Sequence, residues 1–308
     1  MRKLIIKGIV FVVIVCSICA YFLSLSAKEP TRSAIAKWTD SEEFMSASGM
    51  LPFFEKARQQ NGTTQLLIGD SICSQMFNGV VGYNPETSIL STNAALMITG
   101  QYLLAEEYLK NHPDATDVFL VMHPLTITRT IDTEWSYRYA VMTYVETDTL
   151  QYLDDNTVDA MEDTFGRFFL NSKVVQLVED SPVARKLCLS YLNTSREDYV
   201  QSSPFEIADQ YVRKLYELCE EKGVTLHFYS SPVSEYYRED MEELLPVYNE
   251  TWMSTVYPDY MNDIWYYPLE WTEDMSHFSG EYAERSKLNE SIREAYKQTV
   301  LLERLKLE

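Results

Sequence analysis

Short apolar runs alternate with helical patterns along much of the chain. Runs of this kind, bounded by turn-forming residues, are typical of buried strands and lie at 66–68, 88–92, 117–122 and 224–229. Helical patterns at 72–77, 98–111 and 204–222 separate them. Strands and helices in this order predict a parallel sheet with right-handed crossovers, and therefore an α/β fold.

Residues 125–205 interrupt this alternation. We interpret them as a mostly helical insertion, because they contain little that resembles a strand. Their helical patterns lie at 156–170, 173–178 and 183–192.

The α/β domain is predicted to extend from 64 to 308. Residues 28–63 before it are interpreted as a stalk with an approach helix that begins near Trp38. At the other end, one helix is predicted from Glu281 to about Leu307.

The N-terminus has the pattern of a membrane anchor. An uncharged run at 8–25 follows three basic residues, Arg2, Lys3 and Lys7. As a helix this run would cover about 27 Å, close to the thickness of a bilayer's hydrocarbon core. The basic residues place the short N-terminus inside and the rest of the chain outside the cytoplasm. We therefore predict an anchor within 1–27; a cleaved signal peptide is the alternative, because small residues stand near its end.

The charge of the remaining chain excludes one class of partner. Beyond residue 27 there are 23 basic and 46 acidic side chains, a net charge of −23. Nucleic acid would be repelled by such a surface, so we expect no nucleic-acid partner.

The cysteines outside the anchor, Cys73, Cys188 and Cys219, have no metal-ligand spacing. We therefore expect neither a metal nor a cofactor. A disulfide between Cys188 and Cys219 and two buried thiols are both compatible with the sequence, and buried thiols are favoured.

Gly69, Asp70 and Ser71 follow directly on the first predicted strand. A serine on such a strand-to-helix turn exposes its hydroxyl at the carboxyl edge of the sheet, beside free backbone N–H groups. A nucleophile with an oxyanion hole needs this arrangement. The alternative is that Asp70 or Ser71 only caps the next helix.

Asp274 and His277 stand three residues apart near the C-terminus. A carboxylate at this spacing can accept a hydrogen bond from one ring nitrogen and leave the other as a base. With Ser71 they would form a nucleophile, a general base and an orienting acid in the order Ser, Asp, His. The alternative is a helix cap beside a surface histidine.

Gly69-Asp70-Ser71 and Asp274-x-x-His277 resemble the first and last sequence blocks of the SGNH/GDSL hydrolase superfamily. The resemblance covers about 64–122 and 223–300 and leaves the insertion unmatched. It implies a three-layer, flavodoxin-like fold and Ser-His-Asp acyl-transfer chemistry. The anchored layout is similar to the branch that contains the teichoic-acid D-alanylation protein and the polysaccharide O-acetylation proteins. Those work beside membrane-bound O-acyltransferases, so the resemblance implies such a partner.

Two middle blocks depart from the family pattern. The family's oxyanion-binding glycine is replaced by 92–95, where the Ala95 N–H takes its place. Its Gly-x-Asn is replaced by residues 122–124, so His123 either supplies the missing donor or is only a turn residue. We expect Ser71, Ala95 and His123 to form the oxyanion hole. Asp70 and Asn93 are expected to contact the substrate.

These patterns predict a serine-dependent enzyme that acylates a cell-envelope polysaccharide or polymer outside the cytoplasm. A carbohydrate esterase with the same three residues is one alternative. A non-catalytic partner of a membrane O-acyltransferase, with an incomplete oxyanion hole, is another. The aromatic residues within 252–271 suit either stacking on sugar rings or packing in the core.

Overall fold

A computed structural model describes residues 2–38, 50–78, 84–92 and 97–306. The chain divides into two compact units. The first comprises the described parts of Met1–Ser48, Asp132–Leu150 and Asp154–Asp198. The second comprises those of Gly49–Ile131, Gln151–Leu153 and Tyr199–Glu308.

The helices alternate with short strands in the second unit and stand alone in the first. Their bounds are α1 (Arg2–Ser26), α2 (Thr31–Trp38), α3 (Leu51–Arg58), α4 (Ser71–Phe77), α5 (Ile98–Asn111), α6 (Pro124–Ile127), α7 (Thr143–Glu146), α8 (Asp155–Phe165), α9 (Ser172–Asp180), α10 (Pro182–Ser195), α11 (Glu206–Lys222), α12 (Arg238–Tyr248), α13 (Trp252–Val256), α14 (Asp259–Asn262), α15 (Arg285–Tyr296) and α16 (Val300–Leu305). A π-helix at Tyr137–Met142 precedes α7. Single 3-10 turns lie at Leu150–Tyr152, Glu235–Tyr237 and Leu269–Trp271.

A parallel sheet forms the centre of the second unit. Its strands are β1 (Gln65–Gly69), β2 (Thr87–Ile89), β3 (Asp117–Met122) and β4 (Thr225–Ser230). They lie in the order β2-β1-β3-β4, and every pair is parallel. Two shorter strands, β5 (Val233–Ser234) and β6 (Tyr266–Tyr267), pair in parallel with each other. The predicted α/β class with a parallel sheet is confirmed.

The two central strands are buried at every position. Helix α5 and strand β3 have the bounds that the sequence predicts. Helix α11 ends at Gly223, which adopts a left-handed φ of 70° that a glycine tolerates without strain. On one face of the sheet, apolar residues of β1 and β3 form a core with α4, α15 and α16.

The predicted single C-terminal helix is wrong. Residues 281–284 precede the first helical turn of α15, and residues 297–299 separate α15 from α16. The break has a local cause. The Thr299 N–H and hydroxyl both donate to the Tyr296 carbonyl, at 3.0 and 2.9 Å, and Thr299 itself is extended. A side chain that bonds to nearby backbone competes with the helix ladder in this way.

The first unit is helical. Helix α1 contains a stretch, Ile5–Ser26, that is long and apolar enough to cross a membrane, with a mean hydropathy of 2.6. At its end the hydroxyls of Ser26 and Ser181 lie 2.6 Å apart. Helices α8, α9 and α10 occur where the sequence predicts helices. However, α8 ends at Phe165 because Gly166 turns the chain with a φ of 84°.

The cysteines outside α1 are free, buried thiols: Cys73, Cys188 and Cys219. Cys188 and Cys219 therefore form no disulfide, and the favoured prediction of buried thiols is confirmed. The predicted approach helix beyond Trp38 lies outside the described residues.

Candidate active site

The site begins at Gly69, the last residue of β1. A Cβ placed on Gly69 would lie 2.0 Å from the Val121 carbonyl oxygen of β3 and 2.7 Å from the Cys73 Sγ. The first contact is with backbone and cannot relax by moving a flexible side chain. Glycine is therefore required here by close packing between the strands.

Asp70 fixes the turn between β1 and α4. One carboxylate oxygen accepts from the Ile72 and Cys73 N–H groups at 3.1 and 3.3 Å and so caps α4. The other accepts from the His123 N–H at 2.7 Å. Burial raises the pKa of the Asp70 carboxyl from its ordinary value, although these N–H donors and the Thr126 hydroxyl act in the opposite direction. Because Asp70 is only 1% exposed, it holds the ends of β1 and β3 together and presents no surface to a substrate.

Ser71 is the first residue of α4, and its hydroxyl reaches the C-terminal part of the chain. The Ser71 Oγ lies 2.7 Å from the His277 Nε2, although the two residues are 206 positions apart. The His277 Nδ1 lies 2.6 Å from an Asp274 carboxylate oxygen. The structure thus brings together the three residues that the sequence pairs as nucleophile, base and orienting acid.

This geometry fixes the direction of proton transfer. The Asp274 carboxylate has no proton to donate at neutral pH, so the His277 Nδ1 must carry the ring hydrogen and the Nε2 is left as an acceptor. Partial burial alone would raise the pKa of Asp274. Hydrogen bonds from the His277 backbone and ring and from the Ser276 N–H outweigh burial, and the pKa lies below its ordinary value. The arrangement can therefore take the Ser71 proton onto His277.

A narrow loop carries Asp274 and His277. Its sides join in an antiparallel bridge between Thr272 and Phe278. The second Asp274 oxygen accepts from the Ser276 and His277 N–H groups at 3.1 and 2.7 Å. This tight turn holds Met275 at a φ of 69°, a left-handed conformation that costs a residue with a side chain about 1–2 kcal/mol. Backbone strain is therefore located directly beside the histidine.

Gln75 joins this loop to the serine helix. Its side-chain amide accepts from the Phe278 N–H at 3.1 Å and donates to the Phe278 carbonyl at 3.2 Å. Gln75 stands four residues after Ser71, on the same face of α4. One helix thus presents the hydroxyl and also clamps the residue that follows His277.

His123 directly follows β3 at the same edge of the sheet and caps α6. Its Nδ1 accepts from the Leu125 N–H at 3.2 Å, so in the neutral ring the hydrogen is on Nε2. Burial, and then the charge of His277, lower the pKa of His123 to about 4, which keeps the ring neutral. Among the described residues no acceptor meets the Nε2, although His123 is only 3% exposed. A buried donor without a partner costs about 1–3 kcal/mol, so an acceptor supplied by a ligand would be bound favourably.

The backbone at Ser71 offers a second donor. No acceptor for the Ser71 N–H lies within the part of the chain that the structure describes. Ala95 and Asn93, the third predicted oxyanion donor and the second predicted substrate contact, lie outside the described residues. The described chain before them is anchored at Thr92, whose N–H donates to the Gly69 carbonyl at 3.0 Å.

Of the seven aromatic residues between 252 and 271, Tyr260 and Tyr267 are buried in the second unit and the other five are half-buried. Tyr260 stacks on Phe228 at 4.0 Å between ring centroids and donates to the Met122 carbonyl at 3.1 Å. Tyr267 donates to the Ser276 carbonyl within the histidine loop. Tyr260 therefore supports the end of β3, and Tyr267 supports the loop that carries His277. No cluster of three or more His, Cys, Asp or Glu residues suited to a metal ion occurs within the described ranges.

Two residues of the site, Gln75 and Tyr237, were missed by sequence reasoning. The signal for Gln75 was available, because a polar residue four positions after a helical serine shares its face. Tyr237 lies with its ring 6.0 Å from that of His123 and its hydroxyl 3.3 Å from the Ser276 Oγ. No local pattern indicates this contact, because it depends on how the segment after β5 folds over the site.

Comparison of the chain with protein-family models, with curated proteins and with solved structures gives no match.

Proposed function

We propose that this chain is a membrane-anchored SGNH-type enzyme that transfers an acyl group through Ser71 to a cell-envelope polysaccharide or related polymer. The observation that carries the proposal is the hydrogen-bonded chain from Ser71 through His277 to Asp274. A helix cap beside a surface histidine does not require a serine from the other end of the sequence at 2.7 Å.

The first half of the reaction forms an acyl-enzyme. His277 Nε2 takes the Ser71 proton while Oγ attacks the carbonyl carbon of the donor ester. When the tetrahedral intermediate collapses, the bond to the donor's alcohol breaks and His277 gives the proton to the leaving oxygen. In the second half a hydroxyl of the acceptor gives its proton to His277 and attacks the acyl carbon, and Ser71 is released with its proton restored.

Charge develops on the carbonyl oxygen in both halves. The Ser71 N–H and the His123 Nε2–H are the donors we assign to that oxygen, and His123 takes the place of the family's asparagine. Its Nε2–H has no acceptor within the described ranges, which supports this role, since preorganised donors stabilise a developing oxyanion without reorganisation.

The sheet supports the family assignment. Its four-stranded order β2-β1-β3-β4 matches the first four strands of the flavodoxin-like order 2-1-3-4-5, while β5 and β6 form a separate two-stranded sheet. Ser71 and His123 both follow the carboxyl ends of strands, where sites in open α/β sheets lie. The three-layer arrangement of the family is part of what we propose for this chain.

The fate of the acyl group depends on access of water. The apolar helix α1 would hold the enzyme beside a membrane-bound donor, which favours transfer. The basic residues in its first two turns, Arg2, Lys3 and Lys7, favour extracytoplasmic placement of the rest of the chain. The alternative of an esterase is favoured by the open loop, because the side chains of His277 and Asp274 are 34% and 53% exposed. Both enzymes use the same residues.

The test combines labelling with turnover. We expect a fluorophosphonate to label the full-length chain in detergent, Ser71→Ala to abolish labelling, and Ser74→Ala, one turn further along α4, to preserve it. A small activated acetyl ester should be hydrolysed slowly, and His123→Ala should reduce this turnover by about 10²-fold.

The outcomes separate the candidates. Acylation of an added polysaccharide at the expense of hydrolysis identifies a transferase, and hydrolysis that no polysaccharide diverts identifies an esterase. A folded chain in which Ser71 is not labelled contradicts both, and favours a binding module without catalytic activity.

A further inference from the structure

Tyr237 joins the two sides of the site. It ends the 3-10 turn that follows β5, and the Ser234 hydroxyl caps this turn by accepting from the Tyr236 N–H at 3.3 Å. The Tyr237 ring meets the His123 ring nearly at a right angle, and its hydroxyl contacts the Ser276 hydroxyl beside His277. Tyr237 is therefore a wall of the site between the oxyanion donor and the base.

Tyr236 extends this wall outward. Its ring is perpendicular to that of Tyr237, with 4.9 Å between centroids, and 54% of the residue is exposed. A flat apolar ring with a polar tip, held by its backbone at the entrance of a polar site, suits the mixed surface of a sugar, whose ring carbons are apolar and whose edge carries hydroxyls.

The segment of the chain that carries this wall is almost entirely negative in charge. Between residues 234 and 284, the segment that includes Tyr236 and the histidine loop, the sequence has thirteen acidic residues and one basic residue, Arg238. All thirteen acidic residues are exposed. The guanidinium of Arg238 is already engaged, since it lies 3.9 Å from the centre of the Tyr266 ring and 3.7 Å from a Glu235 oxygen. Such a surface repels polyanions and attracts neutral or cationic ligands.

We propose that Tyr236 and Tyr237 form the acceptor subsite and that it takes an uncharged or amine-bearing glycan and excludes anionic polymers. The inference rests on the proposed function, in which a glycan hydroxyl receives the acyl group from Ser71. The bond between Ser71 Oγ and the acyl carbon breaks as the bond from the glycan oxygen forms, and His277 passes the hydroxyl proton to Ser71. Acceptors with phosphodiester or uronate charges would meet repulsion at every exposed carboxylate on the approach.

Binding can be measured without turnover in the full-length Ser71→Ala chain in detergent. The probes are three oligosaccharides of equal length: chito-oligosaccharide, which is neutral; its de-N-acetylated form, which is cationic; and oligogalacturonate, which is anionic. Saturation-transfer NMR at physiological salt should detect the first two and not the third. Adding Tyr236→Ala should weaken binding of the neutral oligosaccharide about tenfold, and the matched change Tyr152→Ala, at an exposed tyrosine in another turn, should leave it unchanged.

Reversing the charge of two acidic residues tests the exclusion of anionic polymers independently. Glu239→Lys with Asp240→Lys, two exposed positions directly after the wall, should bring oligogalacturonate binding within the measured range. Equal binding of the anionic and neutral probes, binding of none of them, or no effect of Tyr236→Ala would each overturn the inference. Labelling of Ser71 in the wild-type chain by a small probe needs no glycan, so it reports separately on the proposed function.

Discussion

The side-chain amide of Gln75 holds the backbone of Phe278 by two hydrogen bonds, one to its N–H and one to its carbonyl. Phe278 follows His277 and is buried in the core that α4 shares with β3, α15 and α16. Helix α4 and the core that it shares with Phe278 therefore hold Ser71 and His277 in fixed positions relative to each other. Their contact does not depend on the exposed loop alone.

Replacing Gln75 should slow the chemistry more than it weakens the fold. Gln75→Met keeps the length of the side chain and removes both hydrogen bonds, each worth about 1 kcal/mol, and leaves His277 less well positioned. We expect the rate at which a fluorophosphonate labels Ser71 to fall about tenfold, with a shift of only a few degrees in the midpoint of thermal unfolding. Gln75→Glu, which retains the acceptor for the Phe278 N–H, should recover part of the rate. Labelling of Gln75→Met at the wild-type rate would show that the clamp has no positioning role.

Gly69 should tolerate no side chain. Gly69→Ala places a Cβ against the Val121 carbonyl oxygen, so β1 and β3 must separate. We expect the free energy of unfolding to fall by at least about 3 kcal/mol, measured by urea denaturation of the full-length chain in detergent. The matched control is Gly280→Ala, in the same unit, where a Cβ would have no neighbour within 4 Å. That variant should change the stability by less than about 0.5 kcal/mol, and equal effects of the two substitutions would contradict the packing argument.

His123 should make the fold sensitive to acid. Its pKa is about 4 in the folded chain against an ordinary 6.5, chiefly because burial disfavours the charged ring. Protonation therefore favours the unfolded state: the stability that the neutral ring provides is complete above pH 6.5 and is lost as the pH falls towards 4. The loss amounts to about 3 kcal/mol.

A comparison with His123→Asn isolates this contribution. The carboxyl of Asp70, whose pKa burial raises, titrates in the opposite sense but is present in both chains. Between pH 6.5 and 4 the wild-type chain should lose more unfolding free energy than His123→Asn. Parallel pH profiles of the two chains would show that the ring of His123 is not buried in its neutral form.

The N-terminal helix should retain the protein in the membrane. The stretch Ile5–Ser26 has a mean hydropathy of 2.6 and is exposed along most of its length, so without a bilayer it would leave a large apolar surface in water. We expect the full-length chain in the membrane fraction, resistant to extraction by high salt or alkali, and a chain that begins at Lys28 in the soluble fraction. A mature protein recovered with its N-terminus near Lys28 would identify the segment as a cleaved signal peptide.

The sequence predicted the parallel sheet because its strands are short apolar runs next to strong helical patterns. Helix α5 and strand β3 were located to the residue, and the end of the helical pattern at residue 222 coincides with the end of α11 at Lys222. The C-terminal helix was predicted as continuous because Thr299 breaks it through a side-chain hydrogen bond that periodicity does not detect.

The candidate triad could be predicted from the sequence because each of its two parts has a recognisable local pattern. Asp274 and His277 are close in sequence, and Ser71 stands at a strand end, so each half has a local pattern. The features that link the halves are tertiary. Asp70 was expected to contact a substrate or else to cap the next helix. It caps α4, and its second contact, with the His123 N–H, is a tertiary one that no local pattern reveals. The same applies to the tautomer of His123, which is fixed by the Leu125 N–H.

If Ser71 is the nucleophile, it carries an acyl group during turnover, and this intermediate can be trapped. The full-length chain would be mixed with a small activated acetyl ester, quenched in acid within seconds, and examined by mass spectrometry of the intact protein and of its peptides. We predict the added mass of one acetyl group on the peptide that contains Ser71, and its absence in Ser71→Ala and His277→Ala. A folded wild-type chain that acquires no acetyl group at Ser71, or one that acquires it equally in His277→Ala, would contradict the account.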